Sequence, residues 1–140
     1  GNFVTAFYAY FDFDNMVIRS ACAGHNPVFL VKRHFFTEEH KNLTEIHSKG
    51  RVLGLVENTV YEEIETKIET GDRFFFYTDG LTEAVNSQGV EFENSLKETL
   101  NKEINISIKQ LIQFIVEELK KFTGRDSFDD DICVVGIDIK

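Results

Sequence analysis

The stretch Phe74-Phe75-Phe76-Tyr77-Thr78-Asp79-Gly80-Leu81-Thr82-Glu83-Ala84 (FFFYTDGLTEA, residues 74–84) carries the most apolar run of the chain and stops it on a carboxylate and a glycine. From Arg73 to Tyr77 the run shows no polar alternation, so the strand it forms must be covered on both faces. Residues 73–77 therefore read as a central strand, and Asp79 lies just past its C-terminal end. Gly80 allows another backbone to come close, with no side chain in the way.

Working outward, residues 3–11 (FVTAFYAYF) are rich in β-formers, and Asp12-Phe13-Asp14-Asn15 turns the chain. Residues 16–23 read as the return strand of a hairpin. Gly24-His25-Asn26-Pro27 is a second turn, and residues 28–33 are a third strand. Residues 35–50 are polar and mixed, which predicts a surface loop, and residues 51–56 are short and apolar around Gly54. Residues 60–68 alternate as a half-exposed strand, and Glu69-Thr70-Gly71-Asp72 turns into the central one.

The period then changes. Phe92, Leu96 and Leu100 share one helical face. A longer helix spans residues 107–122, with Ile108, Leu111, Ile112, Ile115, Val116 and Leu119 at helical spacing and Gly124 just past its end. Asp129-Asp130-Asp131 precede a last strand, residues 132–137. Strands, then two helices, then a strand predict an α+β layered domain, a largely antiparallel sheet with helices packed on it.

Asp79 leaves one apolar strand, and Asp130 and Asp131 enter another. If these strands are antiparallel neighbours, the acids fall on one edge of the sheet. Converging carboxylates repel unless a cation lies between them. An oxygen-only donor set favours Mg2+ or Mn2+ over zinc. The plainer alternative makes Asp79-Gly80 a turn and residues 129–131 a solvated acidic loop. Residues 12–15 do not make a calcium loop, for they lack the glycine and acid it requires.

Bulk properties narrow the field. The chain has 140 residues, enough for one domain. Fifteen basic against 24 acidic side chains give a net charge of −9, which repels phosphate backbones and argues against nucleic acid as a partner. Cys22 and Cys133 are too few for a disulfide framework or zinc site, and they read as two small buried thiols. No apolar run reaches the roughly 18 residues of a membrane span. The absence of a basic-then-apolar leader makes a cytoplasmic setting the expectation. Opening inside a strand without methionine suggests a piece of something longer, with Gly1 a tag remnant.

Several of these segments together resemble the metal-dependent protein phosphatases (protein phosphatase 2C-like), in the SpoIIE/RsbU branch that regulates sigma factors. The matching residues are Thr5-Ala6-Phe7-Tyr8, Ala23-Gly24-His25-Asn26-Pro27, Leu53-Gly54, Gly71-Asp72-Arg73, Tyr77 through Ala84, and Asp130-Asp131-Ile132. The resemblance implies part of an αββα sandwich. It also implies a phosphoserine or phosphothreonine protein phosphatase whose Mn2+ or Mg2+ two-metal centre activates water. On it, Asp79 and Asp130 are metal ligands acting in catalysis through that water, Gly80 contributes backbone, and Asp131 is a further ligand or stands in for Asp130. The implied substrate is a phosphorylated anti-anti-sigma factor.

The family's other metal aspartates, in an Asp-Val-x-Gly-His-Gly type motif, have no counterpart here. The chain is therefore expected to be the C-terminal part of one phosphatase domain, inactive alone, with an uncovered sheet face that self-association could cover. Cys133 and Phe92-Glu93 depart from the family's usual threonine and Phe-Gly. The competing readings are a non-catalytic phosphatase-like module that binds a partner protein, and an unrelated small-ligand-binding β domain. His25 reads as a turn residue satisfying backbone, Asp72 as a turn acid, and Glu83 as an acid at a helix start. Asp126 and Asp129 read as solvated.

Overall fold

The computed structural model describes residues 2–33, 42–103 and 105–140. Its elements run β1 (Ala6–Asp12), β2 (Val17–Ala23), β3 (Val28–Val31), β4 (Leu43–Ile46), β5 (Glu63–Lys67), β6 (Arg73–Tyr77), α1 (Asp79–Thr82), α2 (Glu93–Lys102), α3 (Ile108–Thr123) and β7 (Val134–Asp138). The class is α+β and every strand pairing is antiparallel, as the sequence suggests. The strands divide into two sheets, ordered β1-β2-β5 and β4-β3-β6-β7.

The apolar run of β6 is explained by what lies on each side of it. Phe74, with Val28 and Leu30 of β3, faces Ile18 and Ile68 in the core between the sheets. Phe75 and Tyr77, with Phe29 and Val31, face Leu96, Leu100, Leu111, Ile115 and Leu119 of the helices. Successive side chains of a strand point to opposite faces, so a strand buried on both must be apolar throughout. The layers are therefore three-stranded sheet, four-stranded sheet and helices. The outer face of the first layer carries exposed Tyr8 and Tyr10.

Helix α3 begins at a capping box. The Ser107 hydroxyl accepts from the Gln110 amide at 3.3 Å, and Gln110 Oε1 accepts from the Ser107 amide at 3.1 Å. It ends at Gly124 in the left-handed conformation, φ 66°.

Five expectations are corrected. The predicted loop over residues 35–50 contains β4, an edge strand paired with β3; residues 35–41 lie outside the described residues. Only Ile46 of β4 is buried, so its sequence has no apolar run to announce a strand. Lys97 of α2 holds it from the side, 2.8 Å from Glu45, with Glu93 at 2.7 Å. The first strand begins at Ala6, because Val4 pairs only in an isolated bridge with Leu53. The fifth is limited to Glu63–Lys67, and Val60 is 91% exposed. The last strand starts at Val134, two residues late, and Cys133 is exposed, not a buried thiol.

Arg73, 1% exposed, opens β6 opposite Asp138 at the end of β7. Its Nε donates to Asp138 Oδ1 at 2.6 Å, and Nη2 donates to Oδ2 at 3.1 Å and to the Ile106 carbonyl at 2.9 Å. These hydrogen bonds hold the Asp138 carboxyl below its ordinary 3.8, against the opposing effect of burial. A carboxylate with a depressed folded pKa contributes stability that is complete above its unfolded value and lost as pH falls through the folded one. Asp138→Asn should therefore cost about 2 kcal/mol at pH 7, below the usual range for a fully buried pair because Asn keeps an acceptor. Urea midpoints should show the difference between wild type and variant shrinking once the pH drops below 3.8.

Candidate functional site

The β6–β7 ladder runs from Arg73 opposite Asp138 to Tyr77 opposite Val134. Tyr77 closes β6 as a fixed end: its ring stacks on Phe29 at 5.2 Å and 11°. Burial, with help from Glu93 and Glu45, pushes its phenol pKa well above the usual value, so it stays neutral.

Past Tyr77 the two chains stay joined through Thr78. Its amide donates to the Cys133 carbonyl at 3.1 Å, its hydroxyl accepts from the Cys133 amide at 2.9 Å, and that hydroxyl donates to the Asp131 carbonyl at 3.1 Å. Gly80, two residues on, thus lies against Asp130 and Asp131. A Cβ on Gly80 would fall 2.7 Å from the Asp131 carbonyl oxygen and 3.3 Å from the Asp130 Cβ. Only glycine allows this approach without displacing the acidic segment.

The antiparallel neighbours are as the sequence suggests, and Gly80 meets Asp130 and Asp131 at one edge. Asp79, the residue before it, lines a small cavity with Thr5 and His25, whereas Asp130 lines a different one with Glu83 and Arg125. All three aspartates are exposed while Gly80 is buried. Asp79 Oδ1 accepts from the Gly80 amide at 3.0 Å, and Asp130 Oδ1 from the Asp131 amide at 2.8 Å. Asp79 and Asp130 thereby each have one oxygen engaged by the next residue's amide, with water able to screen the rest.

Three further residues take positions that the sequence did not indicate. Thr78 clamps the two segments, and neither its type nor its spacing signals that role. His25 joins Asp79, Thr78 and Thr5 in lining a small cavity of about 50 Å3. Its Nδ1 lies 3.1 Å from the Asn26 carbonyl oxygen, in keeping with a turn residue. Some 54 positions separate His25 from Asp79, so only the fold brings them together. Glu83 is corrected: it caps the C-terminal end of the one-turn helix α1, not a helix start. Asp72 does sit in its turn, accepting from the Glu69 amide at 2.9 Å, but it is wholly buried and bound to Lys32 at 2.7 Å. Asp126 and Asp129 are solvated side chains, contacting Lys120 at 3.9 Å and Arg125 at 2.8 Å.

As a cation site the edge fits in kind and falls short in number. Carboxylate and carbonyl oxygens suit Mg2+ or Mn2+. Yet among the described residues no group of three or more His, Cys, Asp or Glu could hold an ion.

The model of the family described as Stage II sporulation protein E (SpoIIE) matches residues 1–140. Phosphoserine phosphatase RsbU of Bacillus subtilis is 26% identical over 133 residues, 95% of this chain and 38% of its own length. Protein IcfG of Synechocystis is 32% identical over 138 residues, 96% of this chain and 20% of its own. The chain thus spans well under half of either relative. Among solved structures, the SiaA-PP2C domain of Pseudomonas aeruginosa superposes with a TM-score of 0.79 at 19% identity, covering 97% of this chain and 52% of that one.

Gly80→Ala should push residues 130–131 away and cost about 1–3 kcal/mol as an overpacked contact. A lowered urea midpoint is the expected result; Thr78→Val should lower it too, by removing the hydroxyl's hydrogen bonds to Asp131 and Cys133.

Proposed function

Since the chain belongs to the SpoIIE family, we propose that it is the C-terminal part of a metal-dependent phosphoprotein phosphatase domain. It acts on phosphoserine or phosphothreonine in a cytoplasmic signalling protein, a phosphorylated anti-anti-sigma factor in a partner-switching system. The observation that carries this reading is the contact of Gly80 with Asp130 and Asp131, which brings the residue after Asp79 against acids about fifty positions later at one exposed edge.

In this reading Asp79 and Asp130 hold the cations, with Asp131 and the Gly80 backbone as the nearest additional oxygens. Mn2+ or Mg2+ held there would supply neutralisation of the phosphoryl oxygens and a water acidic enough to act as nucleophile at neutral pH. Thr78 fixes the spacing of the two acidic segments by bonding both chains at once. Tyr77 and the sheet behind it give a rigid, dry floor, so the acids need not reorganise as charge develops. No side chain serves as nucleophile and no covalent phosphoenzyme forms. The remaining ligands come from the part of the domain outside these 140 residues, and residues 1–140 alone are inactive.

The intact parent protein should hydrolyse p-nitrophenyl phosphate with Mn2+ and lose that activity with chelator. Asp79→Asn should lower turnover by roughly two orders of magnitude or more, since metal stabilisation of the transition state amounts to several kcal/mol. Its circular dichroism should stay that of wild type, and calorimetry should show weakened Mn2+ binding. Wild-type turnover in the variant would remove Asp79 from the mechanism.

A further inference from the structure

The net charge of the chain is −9, yet one surface collects cations. An open groove of about 620 Å3 is lined by His47, Lys49, Arg51, Val56, Glu57 and Val60, with residues between them. Glu57 is the single carboxylate in that lining. Neither Lys49 nor Arg51 forms an ion pair with another described residue, whereas Lys97, Lys121 and Arg125 are each engaged by a carboxylate. Two cations two positions apart, neither bound to a described carboxylate, on an acidic protein attract a negative partner and repel a positive one. Val60, 91% exposed, and Val56, 46% exposed, give that partner apolar area to cover.

The groove adjoins the candidate site. Arg51 lines it, and the next residue, Val52, packs against Gly24. Gly24 in turn lines the small cavity that contains Asp79. Leu53 bonds Val4 in both directions, 3.0 and 2.8 Å, and Val4 precedes Thr5 of the same cavity. A peptide whose phosphorylated residue sits at Asp79 therefore has its flanking residues within reach of Lys49 and Arg51.

Resting on the phosphoprotein phosphatase reading above, we infer that this groove receives an acidic segment flanking the phosphorylated residue of the substrate. Small phosphate esters do not reach it, so the groove sets protein specificity and leaves the chemistry unchanged.

The test uses the intact protein with Mn2+ and three probes: a phosphoserine peptide flanked by Asp and Glu, the same peptide flanked by Lys, and p-nitrophenyl phosphate. Wild type should show the lower KM for the acidic peptide, a preference that fades with added salt. The double variant K49E/R51E should raise that KM about threefold to tenfold, the range expected for reversing two exposed charges. It should leave p-nitrophenyl phosphate turnover and the urea midpoint unchanged. Equal KM values for the two peptides in wild type, or no change in the variant, would overturn the assignment. So would a change of mass by light scattering in the variant, which would make the groove a contact between copies. If wild type cleaves none of the probes, the phosphatase reading fails by itself. The groove is then judged by anisotropy of a fluorescent acidic peptide, whose binding must weaken in K49E/R51E for the inference to stand.

Discussion

Arg73 and Asp138 form an ion pair almost removed from water at one end of the β6–β7 ladder, and the register it fixes decides what meets at the other end. A buried pair of this kind adds little net stability over an apolar replacement, but removing one partner is expensive. The cost is visible, since Arg73 Nη1 is buried without a hydrogen-bond partner among the described residues. What the pair supplies is uniqueness. A slip of one residue would set Asp138 against a phenylalanine, strand the guanidinium in the core and turn every β6 side chain to the wrong face. Five residues further along, about 17 Å at strand rise, the same register brings Cys133 opposite Thr78 and so Asp131 against Gly80.

How much of this could be read beforehand depended on whether a signal was local. The apolar run of β6 and the helical spacing of α3 are local, and both elements appear where the pattern indicates, α3 within a residue or so of its ends. The placing of Gly80 against Asp130 and Asp131 follows from one assumption, that the two apolar strands pair antiparallel. Strand β4 was hidden because an edge strand with one buried residue needs no apolar alternation, only a neighbour with free backbone groups. The division into two sheets was equally hidden, because periodicity says which face of a strand is buried and not which strand lies beside it. Thr78 and His25 belong to the same class. Their positions result from pairings across more than fifty residues, for which a single sequence carries no local mark.

The exposed setting of the three aspartates connects the fold to the proposed chemistry. Buried without a cation, converging carboxylates would destabilise the strand ends that carry them. At the surface, water screens them, and Asp79 and Asp130 are each steadied by the backbone amide of the next residue, so the sheet can hold them without a bound ion. Rigidity comes from below, through Tyr77 stacked on Phe29 and the Thr78 hydrogen bonds. Accessibility comes from above. A site meant to admit a phosphorylated side chain and divalent ions requires both.

The distribution of charge then separates two tasks on one face. Acids at residues 79, 130 and 131 offer hard oxygens to cations and, left bare, repel a phosphoryl group. Only with cations in place does that edge turn attractive to a dianion. Lys49 and Arg51, in contrast, carry fixed positive charge with no described carboxylate bound to either, so their pull on an acidic polypeptide does not depend on metal. On the proposed function, recognition of the polypeptide and attack on its phosphate fall to different residues. Substrate choice could then change through residues 47–60 while the spacing set by Thr78 and Gly80 stays as it is.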